Sequence, residues 1–319
     1  MKEFDFISEL LAPLADGKSA LNLTDDVALL STGTTQEIVT TDTIVENRHF
    51  RSTDPWSTVG QKLVRVNVSD CLAKAAVPRS CLINITWNRS HGEEALRDFV
   101  SGVRQDLRHF AITLLGGDTT SHDGPAVFSL TLFGACQSHG PIRRNGARPG
   151  DDVWVSGVIG DAGLGLQTDA DQKNALSLAY LVPQLPELSI VSLLADHAHA
   201  SMDVSDGLIA DIAHMSKASE VLVELDLTKI PVSAAVREHM GSSLTNASVL
   251  RLAGYGDDYQ VLFTAAAEER DQIAARAAAE NLKLTRIGDV RTGAGVVCRY
   301  TDGRVARPEA SGWQHSLFG

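Results

Sequence analysis

The chain has 319 residues, with 28 basic side chains against 40 acidic ones and a formal net charge of −12. This length predicts two domains, each able to bury its own core. Such an acidic balance excludes nucleic acid and membrane surfaces as partners, because both require clustered Lys and Arg. The first residues lack the basic and apolar pattern of a signal peptide, and no long apolar run follows, so we expect a cytoplasmic protein.

The first half predicts alternating strands and helices. Apolar residues at helical spacing predict an opening helix over 4–14. Next come strands at 27–30 and 38–41, a helix at 59–76, a strand at 81–87, a helix at 93–110, and strands at 112–115 and 127–135. The segment 141–152 is rich in Gly, Pro and charge, as linkers are, and divides the chain into domains 1–140 and 141–319.

The second half repeats this α/β pattern. Strands are predicted at 153–156, 201–204, 221–225, 260–265 and 284–288, with helices within 162–194 and at 207–217 and 266–281. The sequence N/D-V-S-D-x-L occurs at 67–72 and again at 203–208. This repeat indicates two related domains, although six residues can also recur by chance.

Seven aspartates lie beside the predicted strands: Asp25, Asp26, Asp42, Asp118, Asp203, Asp257 and Asp258. Strand ends of α/β proteins point into the ligand crevice, so we expect these side chains to meet there. Grouped carboxylates repel one another unless a cation neutralises them, and an oxygen-only set suits Mg²⁺ or Mn²⁺. A lone Asp beside Gly more often caps a turn or helix, so the metal hypothesis depends on the whole group.

Three other features each allow two interpretations. The glycines of 157–165 suit either a phosphate-binding turn or a tight strand-to-helix turn. Arg143, Arg144 and Arg148 suit either phosphate oxygens or a solvated linker. Trp313 is either an anchor for the C-terminal tail or a stacking platform for a flat ligand. No G-x-S-x-G elbow and no C-x-x-C pair occurs, which argues against a hydrolase triad, a zinc site and a disulfide scaffold.

Seven motifs in order resemble the thiamine-monophosphate kinase family of the aminoimidazole-ribonucleotide synthetase superfamily, over nearly the whole chain. They are TDDVA (24–28), TTDTIV (40–45) with HF (49–50), NVSD (67–70), GGDT (116–119), RNGARPGD (144–151), SMDVSDGL (201–208) and GDDY (256–259). The resemblance implies a two-domain α/β (α+β) fold, in which an N-terminal sheet domain dimerises and a C-terminal α/β domain completes the site. It also implies a homodimer that uses ATP and several Mg²⁺ ions to phosphorylate thiamine monophosphate to thiamine diphosphate.

The resemblance assigns the family's site residues to the positions of this chain that match its motifs. The implied metal ligands are Asp26, Thr40, Thr41, Asp42, Asp70, Asp118, Asp203 and Asp206. Of these, Asp42, Asp118 and Asp206 are the implied catalytic residues. Gly117, Asp118, Arg144 and Ser205 are implied to bind ATP, and His49, Asp257 and Trp313 to contact the thiamine phosphate.

The chain also departs from the family pattern on the substrate side. Asp257 stands where the family usually has Glu, Tyr255 where it has a second Gly, and Gln260 and Ser316 also differ from the motif. Two alternatives therefore stay open: another ATP-using enzyme of the superfamily, or a catalytically weakened protein that binds thiamine or nucleotide. The first cysteine is Cys71, which disfavours selenophosphate synthetase, since that enzyme needs a reactive Cys or selenocysteine near its N-terminus.

Overall fold

The computed structural model describes residues 12–15, 18–32, 35–137, 140–168 and 174–308, together with Ile7. Its N-terminal part is a sheet of β1 (Ala28–Thr32), β2 (Thr35–Val45), β3 (Ala76–Asn88), β4 (Thr113–His122) and β5 (Val127–Cys136), with helices α1 (Trp56–Ala73) and α2 (Glu93–His109). The strand order is β1-β2-β5-β3-β4, and β3 and β4 are its parallel pair. The predicted opening helix over 4–14 lies mostly outside the described residues, of which Ala12–Leu14 form a short 3₁₀-helix.

The C-terminal part is a seven-stranded sheet with order β12-β11-β8-β10-β6-β9-β7. Its strands are β6 (Asp151–Ser156), β7 (Ala198–Val204), β8 (Leu222–Asp226), β9 (Gln260–Ala266), β10 (Leu284–Arg291), β11 (Gly295–Arg299) and β12 (Val305–Ala306). Its helices are α3 (Asp161–Gln167), α4 (Ala175–Leu181), α5 (Ile190–His197), α6 (Leu208–Ser219), α7 (Ala234–Met240), α8 (Asn246–Leu252) and α9 (Arg270–Ala279). Further 3₁₀-helices span Leu21–Leu23, Gly241–Ser243 and Ala267–Glu269.

Helix α1 is the central element of the molecule. It packs against β2, β3 and β5 on one side and against β7 and β9 on the other, so most of its residues are buried. Leu63 on α1 and Phe263 on β9 belong to one hydrophobic core that both sheets share. Eight of its 18 residues are polar or charged, and those that are buried need partners. The polar side chains of α1 are therefore held at the junction of the two sheets.

Several strands are longer than predicted, and in two of them the added length changes where an aspartate lies. β2 continues to Val45 and β4 to His122, so Asp42 and Asp118 lie inside strands rather than beyond them. The glycines before Asp118 do not end β4: Leu115 is an extra residue in the pairing with β3, and Gly116 and Gly117 then pair with Leu82 and Ile83. A Cβ on Gly117 would lie 1.8 Å from the Ile83 carbonyl oxygen, so only glycine fits this close approach. Most strand pairs are antiparallel, so the rule that ligands gather at strand ends does not explain this site.

Candidate active site

Three carboxyl groups meet where α1 lies between the two sheets. Asp42 comes from β2, Asp70 from α1 and Asp203 from β7, and we call them the acid cluster. Burial raises the pKa of Asp42 to about 6 and that of Asp203 to about 6. Burial, followed by the nearby charges of Asp42 and Asp203, raises the pKa of Asp70 well above its ordinary value. The fold therefore disfavours three ionised carboxylates at the acid cluster, and a bound cation would relieve that cost.

Short polar side chains fix the geometry of the acid cluster. The Thr40 hydroxyl donates to Asp70 Oδ2 at 2.5 Å, and the Ser69 hydroxyl donates to Asp203 Oδ2 at 2.8 Å. The buried Asn67 accepts a hydrogen bond from the Asp42 backbone N–H at 3.0 Å. The two copies of the sequence repeat thus touch at this point, since Ser69 belongs to the first copy and Asp203 to the second.

Asp25 and Asp26, which we call the paired acids, lie beside the cluster but have cations of their own. Lys74 Nζ lies 2.8 Å from Asp25 Oδ1 and 2.7 Å from Asp26 Oδ2. Arg143 Nε lies 2.6 Å from Asp25 Oδ2, and Arg144 forms an ion pair with Asp26. Burial alone would raise the pKa of Asp25, but Lys74 and the two arginines hold it below its ordinary value. The paired acids are therefore neutralised by the chain itself.

A turn after β7 brings Ser205 and Asp206 close to the cluster. The Ser205 carbonyl accepts from the Asp257 backbone N–H at 2.8 Å, and the Asp206 N–H donates to Asp211 Oδ2 at 3.2 Å. Gly207 has a φ of 113°, and a Cβ there would lie 2.9 Å from the Gly254 carbonyl carbon. Two chain segments can meet this closely only with glycine at position 207.

A second group of polar residues surrounds Lys62, near the start of α1, and we call it the Lys62 group. Lys62 Nζ lies 2.8 Å from Asp257 Oδ2 and 3.0 Å from the His49 carbonyl oxygen, and its side chain is almost fully buried. It also stands over the Tyr180 ring, 4.3 Å from the centroid. The His49 ring is oriented by the Val45 N–H, which donates to Nδ1 at 3.0 Å. His49 and Asp257, expected on the substrate side, are thus brought together through one lysine.

Three expected site residues, Thr41, Gly117 and Asp118, lie apart from the acid cluster within one chain. Successive residues of a strand point to opposite faces, so Thr41 faces away from its neighbour Asp42. In register, Asp42 pairs with Leu130, Leu130 with Ile83, and Ile83 with Gly117. Three strand spacings separate Asp42 from the Gly117–Asp118 pair, a distance of about 14 Å. One metal ion cannot bind both Asp42 and Asp118 across that distance.

The backbone N–H groups of the glycine-rich turn at 157–165 bind a carboxylate of the protein itself, that of Asp258. The backbone N–H of Gly160 donates to Asp258 Oδ2 at 2.7 Å, and that of Ala162 donates to Asp258 Oδ1 at 3.4 Å. A buried carboxyl group therefore takes the donors that a phosphate would use, and the tight-turn reading is the correct one. Trp313, a tail anchor or a stacking platform by the sequence, lies outside the described residues.

Lys62 and Lys74 are the site residues that sequence reasoning missed. Both lie in the predicted helix 59–76, and both are buried against carboxylates. No sequence signal marks them, because the same helix contains several other polar residues and Lys is almost never fully buried unless it is paired.

Within the described ranges, no group of three or more His, Cys, Asp or Glu side chains has an arrangement that could hold a metal ion. The donors of the acid cluster are all oxygen atoms, which is the chemistry that Mg²⁺ prefers. Mg²⁺ is usually bound by one or two carboxylates together with substrate phosphates, so a complete protein cage is not required. The same ranges hold no helix with the length and apolar character to cross a membrane.

Comparison with known proteins agrees with this architecture. Residues 24–136 match the model of the AIR synthase related protein N-terminal domain, and residues 148–301 match that of its C-terminal domain. The fold and the two matches define a two-domain protein of the AIR synthase related class.

The relatives define the family within that class. The thiamine-monophosphate kinase of Caulobacter vibrioides is 36% identical over 98% of this chain and 90% of its own length. That of Haemophilus influenzae is 32% identical over 91% of this chain and 89% of its own. The solved structure "AaThiL complexed with AMPPCP and TMP" has a TM-score of 0.85 and 29% identity, and the match covers 99% of this chain and 97% of that one. The chain belongs to the thiamine-monophosphate kinase family.

Proposed function

We propose that this protein transfers the γ-phosphoryl group of ATP to thiamine monophosphate, giving thiamine diphosphate and ADP, the last step of thiamine diphosphate biosynthesis. The observation that carries the proposal is the acid cluster at the junction of the two sheets, in a chain of this family. In the reaction, a terminal phosphate oxygen of thiamine monophosphate bonds to the γ-phosphorus. The bond from that phosphorus to the β–γ bridging oxygen breaks, and ADP leaves.

The chemistry explains a site rich in Asp and poor in His and Cys. The second pKa of a phosphate monoester is about 6, so the attacking oxygen is already an anion at neutral pH. No side chain has to remove a proton from it. The enzyme must instead bring two polyanions together in line, which requires positioning and neutralisation of charge.

Mg²⁺ is the cofactor in this proposal, and it supplies that neutralisation when bound. Asp42, Asp70 and Asp203 would hold it, with Thr40 and Asp206 beside them, and the phosphates of ATP would complete the coordination. Asp26, also expected in this set, has its carboxylate between Lys74 and Arg144. On the nucleotide side, Ser205 and Arg144 are proposed to contact ATP.

The substrate side is proposed to be the Lys62 group. Asp257 would face the cationic thiazolium ring of thiamine, while the buried Lys62 fixes the orientation of the carboxylate. His49 would contact the substrate from the neighbouring loop, and Trp313 stays a proposed contact. The proposed domains are 1–140, which carries most of the acid cluster, and 141–319, which adds Asp203 and Asp257.

A homodimer is part of the proposal, supported by the exposed face of the N-terminal sheet. Leu82, Leu114 and Leu115 are 38%, 51% and 62% exposed, and β4 is the edge strand of this sheet. Large exposed apolar side chains on a sheet edge are typical of an interface. Pairing of two such sheets would also explain Asp118, because the second copy could supply Gly117 and Asp118 to the acid cluster of the first.

Mixing two inactive variants tests the dimer. If each site takes Asp42 from one chain and Asp118 from the other, equal amounts of Asp42→Asn and Asp118→Asn protein, allowed to exchange subunits, regain about a quarter of wild-type activity. That quarter comes from one intact site in each heterodimer. If both residues serve the same chain, the mixture stays as inactive as its components, and the shared site is wrong.

A cytoplasmic location completes the proposal. The four cysteines are free and buried, as is usual for proteins of reducing compartments.

Product analysis tests the proposed reaction. Purified protein is incubated with ATP, Mg²⁺ and either thiamine monophosphate or unphosphorylated thiamine, and products are separated by chromatography. We expect thiamine diphosphate from thiamine monophosphate and no phosphorylated product from thiamine. If thiamine monophosphate binds but no diphosphate forms, the protein is the catalytically weakened binding protein and the kinase proposal is wrong.

A further inference from the structure

Lys74 is among the largest side chains that the fold buries completely. A charged ammonium inside a protein is unfavourable unless each of its hydrogens finds an acceptor. Lys74 Nζ has three oxygen partners: Asp25 Oδ1 at 2.8 Å, Asp26 Oδ2 at 2.7 Å and the Ser201 carbonyl at 2.5 Å. This is an oxygen-only cage filled by a cation that belongs to the chain.

The cage adjoins the acid cluster directly. Thr40 Oγ1 lies 3.1 Å from the Asp26 carbonyl oxygen and 2.5 Å from Asp70 Oδ2. The Lys74 charge also reaches the cluster, since it opposes the rise of the Asp70 and Asp203 pKa values. The ammonium, the paired acids and the acid cluster are therefore one electrostatic unit.

Counting charges shows what Lys74 does for this unit. The two paired acids and the three members of the acid cluster face three cations, namely Lys74, Arg143 and Arg144. Among these eight groups, with every one ionised, two negative charges stay uncompensated, and the neighbouring Asp206 and buried Asp211 add to that excess. Without Lys74 the excess would be three, and the vacated cage would present oxygen atoms of Asp25, Asp26 and Ser201.

We infer that the Lys74 ammonium takes the place of a divalent cation beside Asp26, so that this chain binds one divalent ion fewer than its carboxylates could otherwise hold. The inference rests on the proposed function, in which the acid cluster binds Mg²⁺. It changes the role of Asp26 from metal ligand to partner of a fixed internal cation. A fixed ammonium neutralises this end of the site at any Mg²⁺ concentration.

Counting bound Mn²⁺ tests the inference without reference to activity. Metal-free wild-type and Lys74→Met proteins are titrated with Mn²⁺, and free Mn²⁺ is measured by its electron paramagnetic resonance signal. Met fills a similar volume without charge. We expect one more bound Mn²⁺ per chain in Lys74→Met than in the wild type, and a larger rise in its unfolding temperature when Mn²⁺ is added.

Lys62→Met is the matched control, because it also removes a buried lysine from a carboxylate but lies away from the acid cluster. It should bind the same number of ions as the wild type. Equal Mn²⁺ numbers in Lys74→Met and the wild type would overturn the inference.

If Lys74→Met fails to fold, the Mn²⁺ number of Asp26→Asn tests the inference instead. It should keep the wild-type Mn²⁺ number, because the inference assigns Asp26 no divalent ion, and loss of one ion would overturn it. If the wild type binds no Mn²⁺ either alone or with a non-hydrolysable ATP analogue, the proposed metal site itself is wrong, a result distinct from failure of the inference.

Discussion

Two sets of carboxyl groups share one buried junction, yet their surroundings give them opposite properties. The acid cluster has no fixed cation of its own, and its pKa values rise, to about 6 for Asp42 and Asp203. The paired acids face Lys74 and two arginines, and the pKa of Asp25 falls. Burial is common to both sets, so partners decide the outcome. The paired acids are neutralised within the fold, whereas the acid cluster is the proposed binding site for a cation.

The largest effect on activity is expected from the acid cluster. Asp42→Asn should lower kcat at least about a hundredfold at saturating Mg²⁺, because it removes an anionic ligand without removing core volume. Steady-state assays of thiamine diphosphate formation measure this. Asp123→Asn, a change at an exposed acid far from the junction, is the control and should keep wild-type activity. Full activity of Asp42→Asn would remove the acid cluster from the mechanism.

The largest effect on stability is expected from the paired acids. Asp25→Ala leaves Lys74 and Arg143 with one carboxylate fewer in a buried setting, so we expect a loss of about 3–5 kcal/mol in the free energy of unfolding. Chemical denaturation followed by circular dichroism measures it. A loss under about 1 kcal/mol would mean that these ion pairs are not structural.

The two sets should also respond to pH with opposite signs. Asp42 is protonated in the fold up to about pH 6 but only to about pH 4 when unfolded, so metal-free protein loses stability as pH rises between these values. Asp25 has a lowered pKa, so its contribution is present above about pH 4 and is lost as pH falls further, through its folded pKa.

Metal-free Asp42→Asn should therefore be more stable than the wild type at pH 7, by about 1–2 kcal/mol after allowance for solvent screening. The difference should vanish below about pH 4. Unfolding free energies across this range check the sign, and a variant that is less stable at pH 7 would contradict it.

A smaller, selective effect is expected at the Lys62 group. Asp257→Asn should raise the KM for thiamine monophosphate about tenfold and change kcat little, because the carboxylate faces the substrate ring rather than the transferred group. Asp257→Glu keeps the charge beside Lys62 and should stay close to wild type. A fall in kcat with unchanged KM would place Asp257 with the acid cluster instead.

The sequence predicts much of the fold, because long periodic segments such as those that became α2, β5 and β9 carry clear signals. Helices α7 and α8 were missed, although Ser233 and Thr245 cap their first turns. Those helices are short, and their capping residues also suit ordinary turns. The strand containing Asp118 was cut short because Gly116 and Gly117 are typical of a turn, while only the register with β3 shows that they continue the strand.

The sequence predicted that carboxylates gather at one place, but it did not predict how they are arranged. Clustered Asp motifs indicated an oxygen-rich cation site, and Asp42, Asp70 and Asp203 do meet. The separation of Asp118 could not be predicted, since one sequence does not contain strand order. Lys62 and Lys74 were missed because lysine on a helix usually faces solvent, and only the sheets on both sides of α1 make these positions interior.

The central claim is that the acid cluster performs phosphoryl transfer with the help of a divalent cation. Its most direct test follows the γ-phosphate of labelled ATP into thiamine diphosphate while Mg²⁺ is varied, in the wild type and in Asp70→Asn. The account predicts transfer by the wild type that EDTA abolishes and excess Mg²⁺ restores, and no transfer by Asp70→Asn at any Mg²⁺ concentration. Transfer that survives EDTA, or an Asp70→Asn enzyme with wild-type Mg²⁺ dependence, would contradict it.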